Sequence, residues 1–159
     1  MTRLYLGAGK DHRDGYINID SYPFPGIDIV TDLTKGIPYA DMTVDFVMSI
    51  DFMEHLPPEA KVPMINEIWR VLKPDGIMEH WIPNAGSKND FGSPSHLSHW
   101  NLQQFEHFDI NSYRYKLDFD YEGSKAKFTK IIAEEVNPQP DVWGNMCQSI
   151  HVRYRSVRP

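Results

Sequence analysis

The sequence predicts an α/β protein built on a mixed sheet, mostly parallel and then antiparallel towards the C-terminus. Three observations predict it. Short apolar runs bounded by turn residues recur through the first half, as buried parallel strands require. One amphipathic helix separates the fourth and fifth of these runs. The C-terminal third then changes to strict apolar–polar alternation, the period of strands with one wet face.

The expected strands of the first part are Arg3–Leu6, Tyr16–Asp20, Ile27–Asp32, Val44–Ser49 and Gly76–Ile82. The main helix is expected over Glu59–Leu72. Pro57-Pro58 opens it, and Val62, Ile65, Ile68, Trp69 and Leu72 share one face. Pro63 has to fall in its first turn, or the helix begins later. Lys73-Pro74-Asp75-Gly76 stops it and turns the chain into the fifth strand. A second helix is expected from Asn101 to about Phe108. Asn101 and Gln104 fit a capping box, and Trp100 and Phe105 occupy hydrophobic-staple positions.

Beyond it, Tyr113, Tyr115, Leu117, Phe119 and Tyr121 alternate with Arg114, Lys116, Asp118, Asp120 and Glu122, which predicts a strand. Its aromatic side is expected in the core, with an exposed subunit contact or acceptor wall as the alternative. Gly123-Ser124 turns into an extended segment over Lys127–Glu134, Asn137–Gln148 reads as a loop, and Ile150–Ser156 as the last strand.

Composition narrows the function. The 159 residues suit one domain, with 1–108 as a ligand-binding core and 109–159 as its antiparallel extension. A net charge of -6 argues against a broad nucleic-acid surface, so no nucleic-acid partner is expected. The alternating His151, Arg153 and Arg155 are expected to be a solvated strand face rather than a phosphate stripe. Cys147 is the only cysteine, so no intrachain disulfide exists, and it reads as a small buried hydrophobe. No apolar run approaches the ~18 residues of a membrane span, and the N-terminus has no export signal. No membrane partner and a cytoplasmic location are therefore expected.

The candidate site lies at the ends of the first strands. Leu4-Tyr5-Leu6 stops at Gly7-Ala8-Gly9, and Tyr16-Ile17-Asn18-Ile19 stops at Asp20. In open parallel sheets ligands bind beyond the carboxyl ends of strands. Glycines let the backbone approach a ligand, and a carboxylate accepts hydrogen bonds from a ribose diol.

From Leu4 to about Phe108 the chain resembles class I, Rossmann-like, S-adenosylmethionine-dependent methyltransferases. Leu4–Gly9 resembles the first cofactor motif, and Asp20 stands where that family places its ribose-binding acid. Asp32-Leu33 resembles the adenine-contacting segment. Val44–Leu56 resembles the family's fourth strand and the Glu-His-Leu after it, here Glu54-His55-Leu56. Glu67–Gly76 is similar to the helix and turn before the fifth strand. The chain looks most like short members found near sugar-modification genes, in which a segment similar to Pro94-Ser95-His96 comes after the fifth strand. Spacing argues against a dinucleotide oxidoreductase, since the third glycine of its fingerprint would fall at His12.

The resemblance implies a Rossmann-like sheet, S-adenosylmethionine as cofactor, and methyl transfer to a small-molecule or sugar-like acceptor by in-line displacement. It also implies the site residues. Gly7, Ala8 and Gly9 would approach the cofactor, Asp20 would hold the ribose, and Asp32 and Leu33 the adenine. Ser49 and Ile50 would line the methionine side. His96 and His55 are the candidate catalytic residues on the acceptor side, with a local structural role as the alternative for His55. Asp32 has a turn-forming alternative.

Two departures from the family pattern predict an open pocket. Only Met1 and Thr2 precede the first strand, where most members carry a helix or two, and Lys10–Gly15 is too short for a full crossover helix. A partner subunit in a homo-oligomer, or the segment Gly86–His99, would supply the missing cover. The rival functions are a non-catalytic cofactor-binding or assembly protein and an enzyme that cleaves the cofactor. His80, His96, His99, His107 and His151 do not match a known zinc spacing, so no metal is expected.

Overall fold

A computed structural model describes residues 1–117, 123–136 and 149–158. Within them one seven-stranded sheet runs in the order β3-β2-β1-β4-β5-β7-β6. Its strands are β1 (Arg3–Leu6), β2 (Ile17–Asp20), β3 (Ile29–Val30), β4 (Val44–Ile50), β5 (Leu72–Pro83), β6 (Phe128–Val136) and β7 (Ser149–Ser156). The first five pair in parallel; β7 runs antiparallel to both β5 and β6. The predicted mixed sheet is present, with the C-terminal strands reversed as expected.

Alternation in β1 shows how the sheet is held. Leu4 and Leu6 face one side and join Ile19, Val44 and Val47 in the main core. Tyr5 faces the other, with Ala8, Phe46 and Met48. The main core is closed by helix α1 (Lys61–Val71), whose Met64, Ile65, Ile68 and Val71 are buried. Each such side chain contributes about 1.5–3 kcal/mol when taken out of water. Pro63 does fall in the first turn, where its missing N–H costs nothing. A 3-10 turn over Pro58–Ala60 precedes the helix, so the expected start at Glu59 lies in that turn.

Three local expectations are corrected. The turn residues Lys73-Pro74-Asp75-Gly76 do not lie outside the sheet. They bulge within β5 between the pairs Val44–Leu72 and Phe46–Ile77, and Asp75 takes a left-handed φ of 62° to make the bend. β3 keeps only Ile29–Val30 of the expected six residues. Asp28 spends its carboxylate on Asn18 of β2, accepting the backbone N–H at 2.7 Å and the amide at 3.2 Å.

The third correction concerns the aromatic alternation from Tyr113. Tyr113–Leu117 is a short helix, α4, with Tyr113 73% exposed, so this end of the stripe is not core. Ser112 starts the turn, its hydroxyl accepting the Arg114 N–H at 3.1 Å and its carbonyl the Lys116 N–H at 3.4 Å. The rest of that expected strand from Asp118 to Glu122, and the expected loop with Cys147, lie outside the described residues.

The second predicted helix is present as α3 (Leu102–Phe105), continued by a 3-10 turn to Phe108. The Asn101–Gln104 capping box closes it in both directions. Trp100 and Phe105 meet at 5.2 Å between ring centroids, as the staple requires. Another short helix, α2 (Lys88–Gly92), opens with Ser87 accepting the Asp90 N–H. It belongs to the segment that covers one end of the site.

Candidate functional site

Two clefts open beyond the carboxyl ends of the parallel strands. The first, about 590 Å³, has Gly7, Asp20, Asp32 and Leu33 in its wall. The second, about 540 Å³, is lined by Glu54, Pro83, Lys88 and His96. Asp51 lines both.

The first cleft is built by the β1 and β2 ends. Gly7 turns with φ 64° beneath Phe52, and a Cβ added there would lie 2.3 Å from the Phe52 ring. Gly9 also has positive φ, 55°, but no atom stands within 4 Å of its missing Cβ. The Asp20 carboxylate ties the loop together, Oδ2 accepting the Gly9 N–H at 2.8 Å and Oδ1 the Tyr22 N–H at 2.9 Å. Oδ1 also takes the Ser21 hydroxyl at 3.5 Å, while Oδ2 keeps a second lone pair to which a diol can donate. Asp32 accepts from the Thr34 N–H and hydroxyl at 3.0 and 2.6 Å, and these bonds hold its carboxyl below the usual aspartate range. It is a turn-former and a cleft residue at once. Leu33 lies beside it, buried.

Ala8, Gly9, Ser49 and Ile50 do not line either cleft. The Ala8 side chain packs into the second core cluster with Tyr5 and Phe46, and Ile50 packs against the same cluster. Ser49 is fully buried, its hydroxyl 2.8 Å from Nδ1 of His80. Burial pushes His80 down to about 3, so it stays neutral there. The strand alternation explains the miss: the chain emerges into the clefts one residue later, at Asp51, which takes a left-handed φ of 47°. Asp51 remains solvent-accessible, yet desolvation by the cleft walls raises its carboxyl, outweighing the pull of His55 and His96.

His55 and His96 meet where the clefts join. Their rings stand edge to face with centroids 4.9 Å apart. His55 lines the first cleft and bonds through Nδ1 to the Ser95 carbonyl at 3.0 Å. His96 lines the second, its Nδ1 3.0 Å from the Asp90 carbonyl. Both therefore have the local structural bond weighed for His55, and both have a second nitrogen left over. Between them lies Glu54, which sequence reasoning missed. It is fully buried, neither carboxylate oxygen has a hydrogen-bond partner among the described residues, and burial pushes its carboxyl up to about 8. Its signals in the sequence are its place in Glu54-His55-Leu56 and its charge between Met53 and Leu56, both buried.

The segment 86–99 folds over the second cleft rather than the first. Leu97 and Ser98 donate their N–H groups to the Glu54 carbonyl at 2.8 and 3.0 Å. Buried Asp90 accepts the Gly86 N–H at 3.0 Å and pairs with His99 Nδ1 at 2.9 Å.

Comparison with known proteins agrees with this architecture. The family model described as a methyltransferase domain matches residues 13–79. No curated protein matches the chain. Among solved structures, an S-adenosylmethionine-dependent methyltransferase of Methanosarcina mazei superposes with a TM-score of 0.65 at 14% identity, covering 99% of this chain and 93% of that one. The 1,6-didemethyltoxoflavin-N1-methyltransferase of Burkholderia thailandensis, solved with bound 1,6-didemethyltoxoflavin and S-adenosylhomocysteine, gives 0.66 at 13% identity over 99% of this chain and 71% of that one. The 16S rRNA (adenine(1408)-N(1))-methyltransferase of Catenulisporales acidiphilia gives 0.62 at 12%, over 99% and 86%. The fold is the Rossmann-like methyltransferase fold, and the methyltransferase-domain match spans less than half of the chain.

Proposed function

We propose that the protein transfers a methyl group from S-adenosylmethionine to a small-molecule or sugar-like acceptor. One observation carries the reading: a cleft rimmed by Gly7, Asp20 and Asp32 meets a second cleft at Asp51, beside His55 and His96. S-adenosylmethionine supplies a methyl carbon on a sulfonium sulfur, open to attack from the side opposite the sulfur. Asp20 suits its ribose, Asp32 and Leu33 its adenine, and the open space above Gly9 a close backbone approach. The acceptor belongs in the second cleft, whose volume of about 540 Å³ suits a small molecule. His55 and His96 stand where an acceptor would have to lose a proton.

Calorimetry with S-adenosylmethionine and S-adenosylhomocysteine tests the cofactor half. Micromolar binding is expected in the wild type and its loss in Asp20→Ala, with folding checked by thermal melting. Unchanged affinity in the variant would remove Asp20 from the site. For the acceptor half, S-adenosylhomocysteine should form only when an acceptor is present. Fragments released without one would indicate cofactor cleavage, and binding with no product a sensor.

A further inference from the structure

The group at the junction of the clefts has the composition of a metal site. One ligand atom each from Glu54, His55 and His96 lies within 4.8 Å of the others. His96 Nε2 stands 4.0 Å from Glu54 Oε1. Two independent features point to a ligand between them. The first is Glu54, a fully buried carboxylate lining the second cleft, with both oxygens unpartnered among the described residues. A buried polar group in that condition calls for an ion or a water.

The second is the orientation of the imidazoles. Both Nδ1 atoms face backbone carbonyls, of Ser95 and Asp90, at 3.0 Å. A carbonyl only accepts, so in the neutral rings Nδ1 carries the hydrogen and Nε2 keeps a free lone pair. Metal-binding histidines are fixed in this way, by donating their other nitrogen to a carbonyl or carboxylate.

We propose that Glu54, His55 and His96 bind a divalent transition-metal cation at the junction of the two clefts. Two imidazoles and a carboxylate are a donor set for zinc or iron(II), whereas magnesium and calcium favour oxygen ligands alone. With ligands about 2.1 Å from the ion, the three atoms would draw in by about 1 Å. Three protein ligands leave a position open, and it faces the second cleft. On the methyl-transfer reading, the ion would replace the imidazoles as the aid to proton loss, orienting an acceptor oxygen and lowering its pKa so that its proton passes to solvent. The pattern is invisible to spacing, because His96 arrives from the segment that folds back over Glu54.

The test is made on untagged, chelator-stripped protein without cofactor or acceptor, so it stands apart from the methyl-transfer reading. Zn²⁺ is titrated against a chromophoric chelator, and Co²⁺ is monitored by its visible absorption. One equivalent of each ion is expected to bind, with the intense absorption of four- or five-coordinate cobalt. Glu54→Gln and His96→Gln should each weaken binding by more than the roughly 10–100-fold typical of outer-shell partners, and His12→Gln should leave it unchanged. Thermal melts without metal check that the variants fold. No saturable binding, a weak octahedral cobalt spectrum, or affinity surviving in both Gln variants would overturn the proposal.

Discussion

At the scale of single residues, the turn after β1 carries two glycines that differ in what surrounds them, and only Gly7 lines the first cleft. Both carry positive φ, so an alanine at either strains the backbone by about 1–3 kcal/mol. Only at Gly7 would the new methyl also strike the Phe52 ring, at 2.3 Å. Gly7→Ala should therefore lower stability more than Gly9→Ala in urea melts; equal losses would mean that Phe52 does not define this wall. His80 gives a prediction in pH. Its folded value of about 3 lies below the unfolded 6.5, so its neutral burial adds stability that is complete above 6.5 and is lost as pH falls towards 3. Between pH 7 and 5 the loss should be about 2 kcal/mol. His80→Gln should show a correspondingly smaller drop between those pH values, and an identical drop would show that His80 protonates freely. Such residues mark the limit of sequence reading. The turn of Gly7 and Gly9 and its tie to Asp20 are legible as local structure, because a strand end and its turn are near in sequence. Glu54 and Asp51 are not, because their surroundings come from a distant segment and from the residue at which β4 leaves the sheet.

At the scale of elements, capping and apolar periodicity were enough where contacts are near in sequence. The α3 capping box, Pro63 in the first turn of α1 and the antiparallel β6–β7 pair all arise from residues a few positions apart or from local alternation. Period-two alternation misled over Tyr113–Leu117, the first half of the ten-residue stripe, where the chain forms a helical turn that Ser112 caps. The segment 86–99 has weak local signals, and it is organised by one buried residue, Asp90. That carboxylate holds Gly86 and His99, while the carbonyl of the same residue orients His96. Asp90→Ala should leave the Gly86 N–H unpaired and cost about 1–3 kcal/mol. It should slow turnover while sparing S-adenosylmethionine affinity, because Asp90 serves the second cleft and not the first. A loss of cofactor affinity in calorimetry would instead couple the segment to the first cleft.

At the scale of the whole molecule, the described residues share the cover of the two clefts unevenly. Lys10–Gly15 forms no helix, and exposed Tyr22, at 66%, stands on the wall of the first cleft. The segment 86–99 lies over the second cleft and reaches the first only through Ser95. The two ligands should therefore quieten different parts of the chain. Hydrogen exchange with S-adenosylhomocysteine should slow at 7–9, 20–24 and 31–34, the backbone around the first cleft, and at 51–56 where the clefts join. Residues 86–93 should stay near their free rates until an acceptor is added, because a ligand protects only the backbone whose opening it opposes. Protection of 86–93 by S-adenosylhomocysteine alone would mean that this segment closes on the cofactor, and that the clefts work as one cavity. Protection confined to the first cleft would leave the second free to admit its acceptor before or after the cofactor, a random binding order that product-inhibition kinetics can check.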